Sequence, residues 1–126
     1  MAERGTSLHY IRGTMKIRSR IDDVIAILEI EGSLSSEIKI DFDNEISQYA
    51  DNKQNLVLDL SKVTFIDSAI LGSIVKFYSI YRKNGRQMHL ASINKQIYEV
   101  FQLTGIAKQI DIFDSPQKAV DYIRGK

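Results

Sequence analysis

Asn55-Leu-Val-Leu-Asp-Leu-Ser-Lys-Val-Thr-Phe-Ile-Asp-Ser-Ala-Ile-Leu-Gly72 decides how the rest of the chain is read. Leu56 to Leu60 is an apolar run without a clean wet face, the pattern of a parallel strand covered on both sides. A short loop, Ser61 to Ile66, keeps Val63, Phe65 and Ile66 for packing and ends at Asp67-Ser68. From Ser68 a helix is expected to run to about Lys83. Ile70, Leu71, Ile74, Val75, Phe77, Tyr78 and Tyr81 fall on one face, and Ser73, Lys76, Ser79 and Lys83 on the other. Asn84-Gly85 closes it, glycine supplying a left-handed cap. Ser68 thus stands where a strand reaches the surface and a helix begins. Backbone N–H groups are unpaired there, and the local field is positive. Such a position tolerates added negative charge and can carry a phosphate. Serine is also a preferred N-cap, and the two roles are compatible. Asp67 reads as a cap or loop-ordering residue that can also help in partner recognition.

Outward from this stretch the pattern alternates. Residues 1–13 read as a flexible tail in which Leu8, Tyr10 and Ile11 leave open a short edge strand. A single domain is expected over 14–126. Thr14–Arg20 alternates like a strand with one wet side, and Val24–Ile30 reads as a more buried strand; the two form an opening hairpin about Asp22-Asp23. Glu31 to Ser36 is expected to break the second strand. Ile38, Phe42, Ile46 and Tyr49 then keep helical spacing, leaving Ile40 off the stripe. Gln87–Ser92 reads as a strand, Asn94 as the cap of a short helix closing near Gly105, and Ile110–Phe113 as a last strand. Asp114-Ser115-Pro116 is a helix start, with Ala119, Val120 and Ile123 as its packing face. The order is β-β-α-β-α-β-α-β-α, an α/β fold with a mostly parallel or mixed sheet of about five strands and four helices. Its binding edge gathers the loops after the strands: 32–36, 61–68 and 92–94.

Composition bounds the function. Of 126 residues, 44% are hydrophobic and 26% charged, as in an ordinary globular domain. Seventeen basic and sixteen acidic side chains give a net charge of +1, with no electrostatic case for nucleic acid or an anionic membrane. No apolar run approaches the roughly 18–20 residues of a membrane span, and no signal-peptide core is readable. Without cysteine there is no thiolate nucleophile and no zinc–cysteine site. A cytoplasmic location is the default. Asp41-Phe-Asp43-Asn-Glu45 lacks the glycine of a calcium loop, Ile46 standing in its place, and reads as a solvated helix face. Asp59 reads as a strand-end residue bonded to nearby backbone, not as half of a catalytic dyad with Asp67. His9 and His89 are isolated. No phosphate-binding glycine loop is present, so no enzyme activity and no cofactor are expected.

The stretch 55–68, with Gly72, Leu103-Thr-Gly105-Ile106 and Glu31-Gly32-Ser33-Leu34, resembles the STAS domains of bacterial anti-sigma factor antagonists. The resemblance spans roughly residues 15–123. It implies a STAS-like fold and a partner-switching regulator. The unphosphorylated form would bind an anti-sigma factor that is also a serine kinase, freeing a sigma factor. Phosphorylation at the position of Ser68 would end binding, and a serine/threonine phosphatase would restore it. The partner-binding set implied is Gly32, Ser33, Leu34, Ser35, Asp67, Ser68, Ala69, Ile70, Ser92 and Asn94. No direct nucleic-acid contact and no metal are expected, and the protein would be a monomer or weak homodimer. The family's usual D-S-[ST]-G-L-G is here Asp67-Ser68-Ala69-Ile70-Leu71-Gly72. Ile70 would set a bulky side chain before the kinase or offer an apolar contact to a different partner. Ser35 stands where an acidic residue is frequent. The alternative is a non-switching STAS adaptor subunit in a transporter or stress-signalling complex.

Overall fold

In the computed structural model, residues 6–11 and 15–125 are described, the first stretch as a strand only. One six-stranded sheet has the order β1-β2-β3-β4-β5-β6. The strands are β1 (Thr6–Ile11), β2 (Met15–Asp22), β3 (Ile25–Leu34), β4 (Asn55–Ile66), β5 (Met88–Ala91) and β6 (Ile112–Phe113). The helices are α1 (Lys39–Asp51), α2 (Ser68–Lys83), α3 (Lys95–Leu103) and α4 (Pro116–Ile123), with 3-10 turns at Ser36–Ile38 and Ile106–Lys108. Pairs β1/β2 and β2/β3 are antiparallel and the remaining three are parallel. The opening hairpin, the alternation and the four helices follow the expected order. The sheet has six strands where about five were expected, because part of the anticipated tail over 1–13 forms β1, the edge strand that Leu8, Tyr10 and Ile11 left open.

The two faces of the sheet are filled separately. Leu56, Leu58 and Leu60 of β4 face a large core with Phe42 and Ile46 of α1, Ile74 and Tyr81 of α2, and Phe101 of α3. Val57 faces the other way, with Ile25, Ile27 and Ala91, under Ala119 and Val120 of α4. Helices α1 to α3 therefore share one face and α4 covers the other, which is why β4 reads as continuously apolar. Tyr81, fully buried, donates its hydroxyl to the Ile46 carbonyl at 2.8 Å and so ties α2 to α1. Burial pushes its phenol well above the usual range. Asp43 makes a second tie. Its carboxylate accepts from Lys39 at 2.7 Å on its own helix and from Lys76 of α2 at 3.4 Å. Burial alone would raise the Asp43 carboxyl. Lys39, the Ser73 hydroxyl beside it and the charge of Lys76 outweigh that and hold it below its usual range.

Two expected loops are strand. Ser61–Ile66 continues β4, and Glu31–Leu34 continues β3 beside it, Ser33 pairing with Phe65 and Leu34 with Ile66. The cause is irregular pairing. After Leu60 the core-facing residues are Val63 and Ile66, a spacing of three where regular pleating would give two. The register slips between Glu29 and Glu31 and again between Gly32 and Ser33. Each slip is a bulge that bends the pair. Asp59 Oδ1 accepts the Ser61 N–H at 3.0 Å at the first, the local backbone role expected of it. Gly32 sits at the second with φ 119°, a value that only glycine adopts without strain. Ser73 also departs from expectation. It is buried against the Asp43 side of α1 and not on the wet face of α2.

His89 is buried on β5, with its ring edge-on to Phe113 and Tyr122 at 5.4 and 5.3 Å. Nε2 meets Gln87 Oε1 at 2.9 Å, and Nδ1 lies 3.9 Å from Asp111 Oδ2. Tyr78 and Arg82 complete the surrounding pocket. Burial lowers the histidine's pKa, and Asp111 only partly opposes this. The neutral ring is therefore the folded form. Its contribution to stability is complete above the unfolded value of about 6.5 and is lost as pH falls from there toward the folded pKa. The urea midpoint of the protein is expected to drop on acidification through this window, and the drop to be smaller in His89→Phe. Equal drops in the two proteins would refute the assignment.

Candidate functional site

The parallel strands β3, β4 and β5 end on one edge, and α2 starts from the middle of it. Asp67, not Ser68, is the N-cap of α2. Its backbone is extended, and its Oδ1 accepts the Ile70 N–H at 3.2 Å. Its Oδ2 accepts the Ser36 N–H at 2.6 Å, across 31 residues of sequence. Its own N–H donates to the Leu34 carbonyl at 3.1 Å. One aspartate thus fastens the end of β3 and the start of the 36–38 turn to the start of α2.

Ser68 follows as the first helical residue and is exposed. The cap and the Leu71 N–H···Asp67 carbonyl bond at 3.0 Å serve the amides of Ile70 and Leu71. The amides of Ser68 and Ala69 are the helix-terminal donors with no carbonyl behind them. The serine hydroxyl therefore stands in water at the positive end of a 16-residue helix. Gly72, one turn on along the same face, is exposed, and a Cβ there would meet nothing within 4 Å. No side chain at that position stands over the hydroxyl.

Of the residues expected at this edge, Ser33, Ser35, Asp67, Ser68 and Ala69 come together, with Gly32 at the bulge behind them. Asn94 joins them through β4. Its Oδ1 caps α3 at the Ile97 N–H, 3.0 Å, and its Nδ2 donates to the Val63 carbonyl at 2.8 Å. Ser92 is turned away, its hydroxyl donating to the Asp114 carbonyl at 3.3 Å beside β6. Leu34 and Ile70 are fully buried, so neither presents a side chain at the surface. The anticipated obstruction or apolar contact by Ile70 is therefore corrected: at the third helical position its side chain enters the core. Phe65, half exposed on β4 where it pairs with Ser33, is an apolar side chain that the edge presents instead. By sequence, Phe65 reads as a packing residue alongside Val63 and Ile66. Only the bulge, which turns it outward, distinguishes it from Val63 and Ile66.

The capping geometry makes a stability prediction. Asp67→Ala is expected to cost about 1–2 kcal/mol, the usual value of a side-chain cap. Asp67→Asn should lose less, since asparagine caps well, and Ser68→Ala should lie within about 0.5 kcal/mol of wild type, as exposed substitutions do. Urea denaturation at constant slope measures all three. A larger loss from Ser68→Ala than from Asp67→Ala would return the cap to the serine.

Fold and corner together define a class: a mixed-sheet α/β domain that presents a helix-borne serine at its strand ends. The sequence profile of the STAS domain matches residues 16–119. The chain belongs to the STAS domain family. An anti-sigma F factor antagonist of Paenibacillus polymyxa is 24% identical over 92 residues, 73% of this chain and 77% of that protein. A Thermotoga maritima protein assigned as an anti-sigma factor antagonist superimposes with a TM-score of 0.76 at 26% identity, covering 84% of this chain and 92% of the other. The anti-sigma factor antagonist SpoIIAA in its unphosphorylated form shares the fold with a TM-score of 0.73 at 14% identity, over 97% and 98% of the two chains. Bacillus SpoIIAA in its phosphorylated form does so too, with a TM-score of 0.65. None of the described helices is long and apolar enough to cross a membrane, and no group of three or more metal-ligating side chains occurs among the described residues.

Proposed function

We propose that this protein is an anti-sigma factor antagonist that works by partner switching at Ser68, without enzyme activity or cofactor of its own. Unphosphorylated, it binds an anti-sigma factor that is also a serine kinase, and a sigma factor is released. Phosphorylation of Ser68 ends the complex, and a serine/threonine phosphatase restores it. Binding uses the edge formed by Gly32, Ser33, Ser35, Asp67, Ser68 and Ala69, with Asn94 at its border. This chemistry belongs in the cytoplasm, where sigma factors act.

The observation that carries the reading is the exposed Ser68 hydroxyl at the first position of α2, with the cap supplied by its neighbour Asp67. The serine is not needed to hold the helix, so it is free to be modified. The relatives named as anti-sigma factor antagonists, one solved in both phosphorylation states, support the same role. The test is incubation with the anti-sigma kinase and ATP, followed by mapping of the phosphate. Phosphate on Ser68 is the expected result. An unmodified Ser68 in a protein that still binds the kinase would end the proposal. Co-purification with transporter subunits and no kinase would favour the non-switching adaptor role instead.

A further inference from the structure

We infer that Phe65 is the apolar anchor of the partner-binding edge, seated in an apolar pocket of the anti-sigma kinase while Ser68 serves as the switch. The inference rests on the function proposed above and adds to it the residue that carries affinity. Phe65 is half exposed and belongs to neither hydrophobic core. Among the described residues it is the one large exposed apolar side chain borne by a strand. The others lie on helices or, for Val24, in the turn between β2 and β3. Phe65 pairs with Ser33, and the next pair, Leu34 and Ile66, leads directly into the bonds made by Asp67.

The second bulge puts the ring there. Val63 faces the core, so regular pleating would send Phe65, two residues on, inward as well. The slip between Gly32 and Ser33 breaks that alternation. Ile66 takes the inward place and Phe65 turns out. The slip is made at Gly32, whose φ of 119° suits glycine. The fold thus keeps a glycine-dependent irregularity whose product is an aromatic ring half in water, outside both cores. Bulges next to functional sites re-aim side chains in this way. Phe65 is three residues from Ser68, at most about 11 Å along the chain. A stable interface covers about 800 Å² on each partner, a disc of roughly 16 Å radius, so a partner that covers Ser68 reaches Phe65 as well. An aromatic side chain inside such a patch dominates binding when a pocket on the partner dehydrates it. The ring carries no charge and does not depend on the state of Ser68, so anchor and switch are separable.

The test is calorimetric titration of the anti-sigma kinase of the same organism with the unphosphorylated full chain and its variants. Phe65→Ala is expected to weaken binding at least about thirtyfold. Phe65→Tyr, which keeps the ring, should bind much as wild type does. Phe65→Thr, a better strand former than alanine, should repeat the loss and serves where the alanine protein does not fold; thermal scans establish folding in each. In steady-state phosphorylation, Phe65→Ala should raise the KM for this protein as substrate and leave kcat in place, a split that a merely structural role would not give. Folded alanine or threonine proteins that bind as tightly as wild type overturn the inference and leave the Ser68 switch standing, and so does a fall in kcat at unchanged KM. A wild-type protein that the kinase does not bind ends the function proposed above, and the anchor with it. A wild-type dimer that Phe65→Ala dissociates overturns the inference in favour of a second copy of this chain as the occupant.

Discussion

Phosphorylated on Ser68, the protein is expected to bind its anti-sigma partner several-hundred-fold more weakly while keeping its fold. A loss of about 3–4 kcal/mol gives that factor at 1.4 kcal/mol per decade. The phosphate adds about −1.5 to −2 charge at neutral pH. Two local features accommodate it within the monomer. The amides of Ser68 and Ala69 are free to donate, and the helix end is positive. The Asp67 carboxylate, though adjacent, has both oxygens engaged by the Ile70 and Ser36 amides. The unfolding temperature should therefore hold steady or rise slightly. The partner has no such compensation. A surface fitted to a hydroxyl would have to dehydrate a dianion beside a second carboxylate. Calorimetric titration of the two forms against the partner, with thermal scans of each, separates the effects. Equal affinity of the two forms would show that Ser68 is not the switch, and a large fall in unfolding temperature would show that the phosphate acts by disrupting α2.

The largest effect on stability is expected from Ile70→Gly, which restores the family's usual residue. Truncating a fully buried isoleucine to alanine costs about 2–5 kcal/mol, and glycine in a helix adds about 1 kcal/mol. The sum approaches the whole stability of many domains, about 5–15 kcal/mol. Ile70→Val, costing about 0.5–1.5 kcal/mol, keeps the question answerable if the glycine protein does not fold. With Ile70 at 0% exposure, the valine protein should bind partners as wild type does. A change in partner affinity larger than the change in stability would place Ile70 at the interface after all.

The gap between sequence and structure lies where pleating is irregular. The α2 stripe, the Asn84-Gly85 stop, the Asn94 cap and the Ser115-Pro116 start are local signals, and each appears where expected. Residues 61–66 are different. Two exposed residues between core-facing ones imitate a loop, and only pairing with β3 makes them strand. Ser68 and Asp67 are both good caps by type, and the sequence did not choose between them. The choice depends on Ser36, 31 residues earlier, whose amide draws the Asp67 carboxylate into place. The inward turn of Ile70 likewise follows from where the cap sets the helix phase. Ser92 and Asn94 sit two residues apart, yet β6 and β4 pull them to different neighbours.

The same long-range bond bears on how the corner opens. The Ser36 amide and the Asp67 carboxylate close a loop that contains all of α1 and all of β4. Fraying at α2 alone would break the cap but still leave the chain ends of that loop side by side, ready to re-form it. Release of the Ser36 amide to solvent thus reports the separation of β3 from α2. Its rate of exchange with deuterated water is a single-site gauge of whether a bound partner tightens this edge or pries it apart.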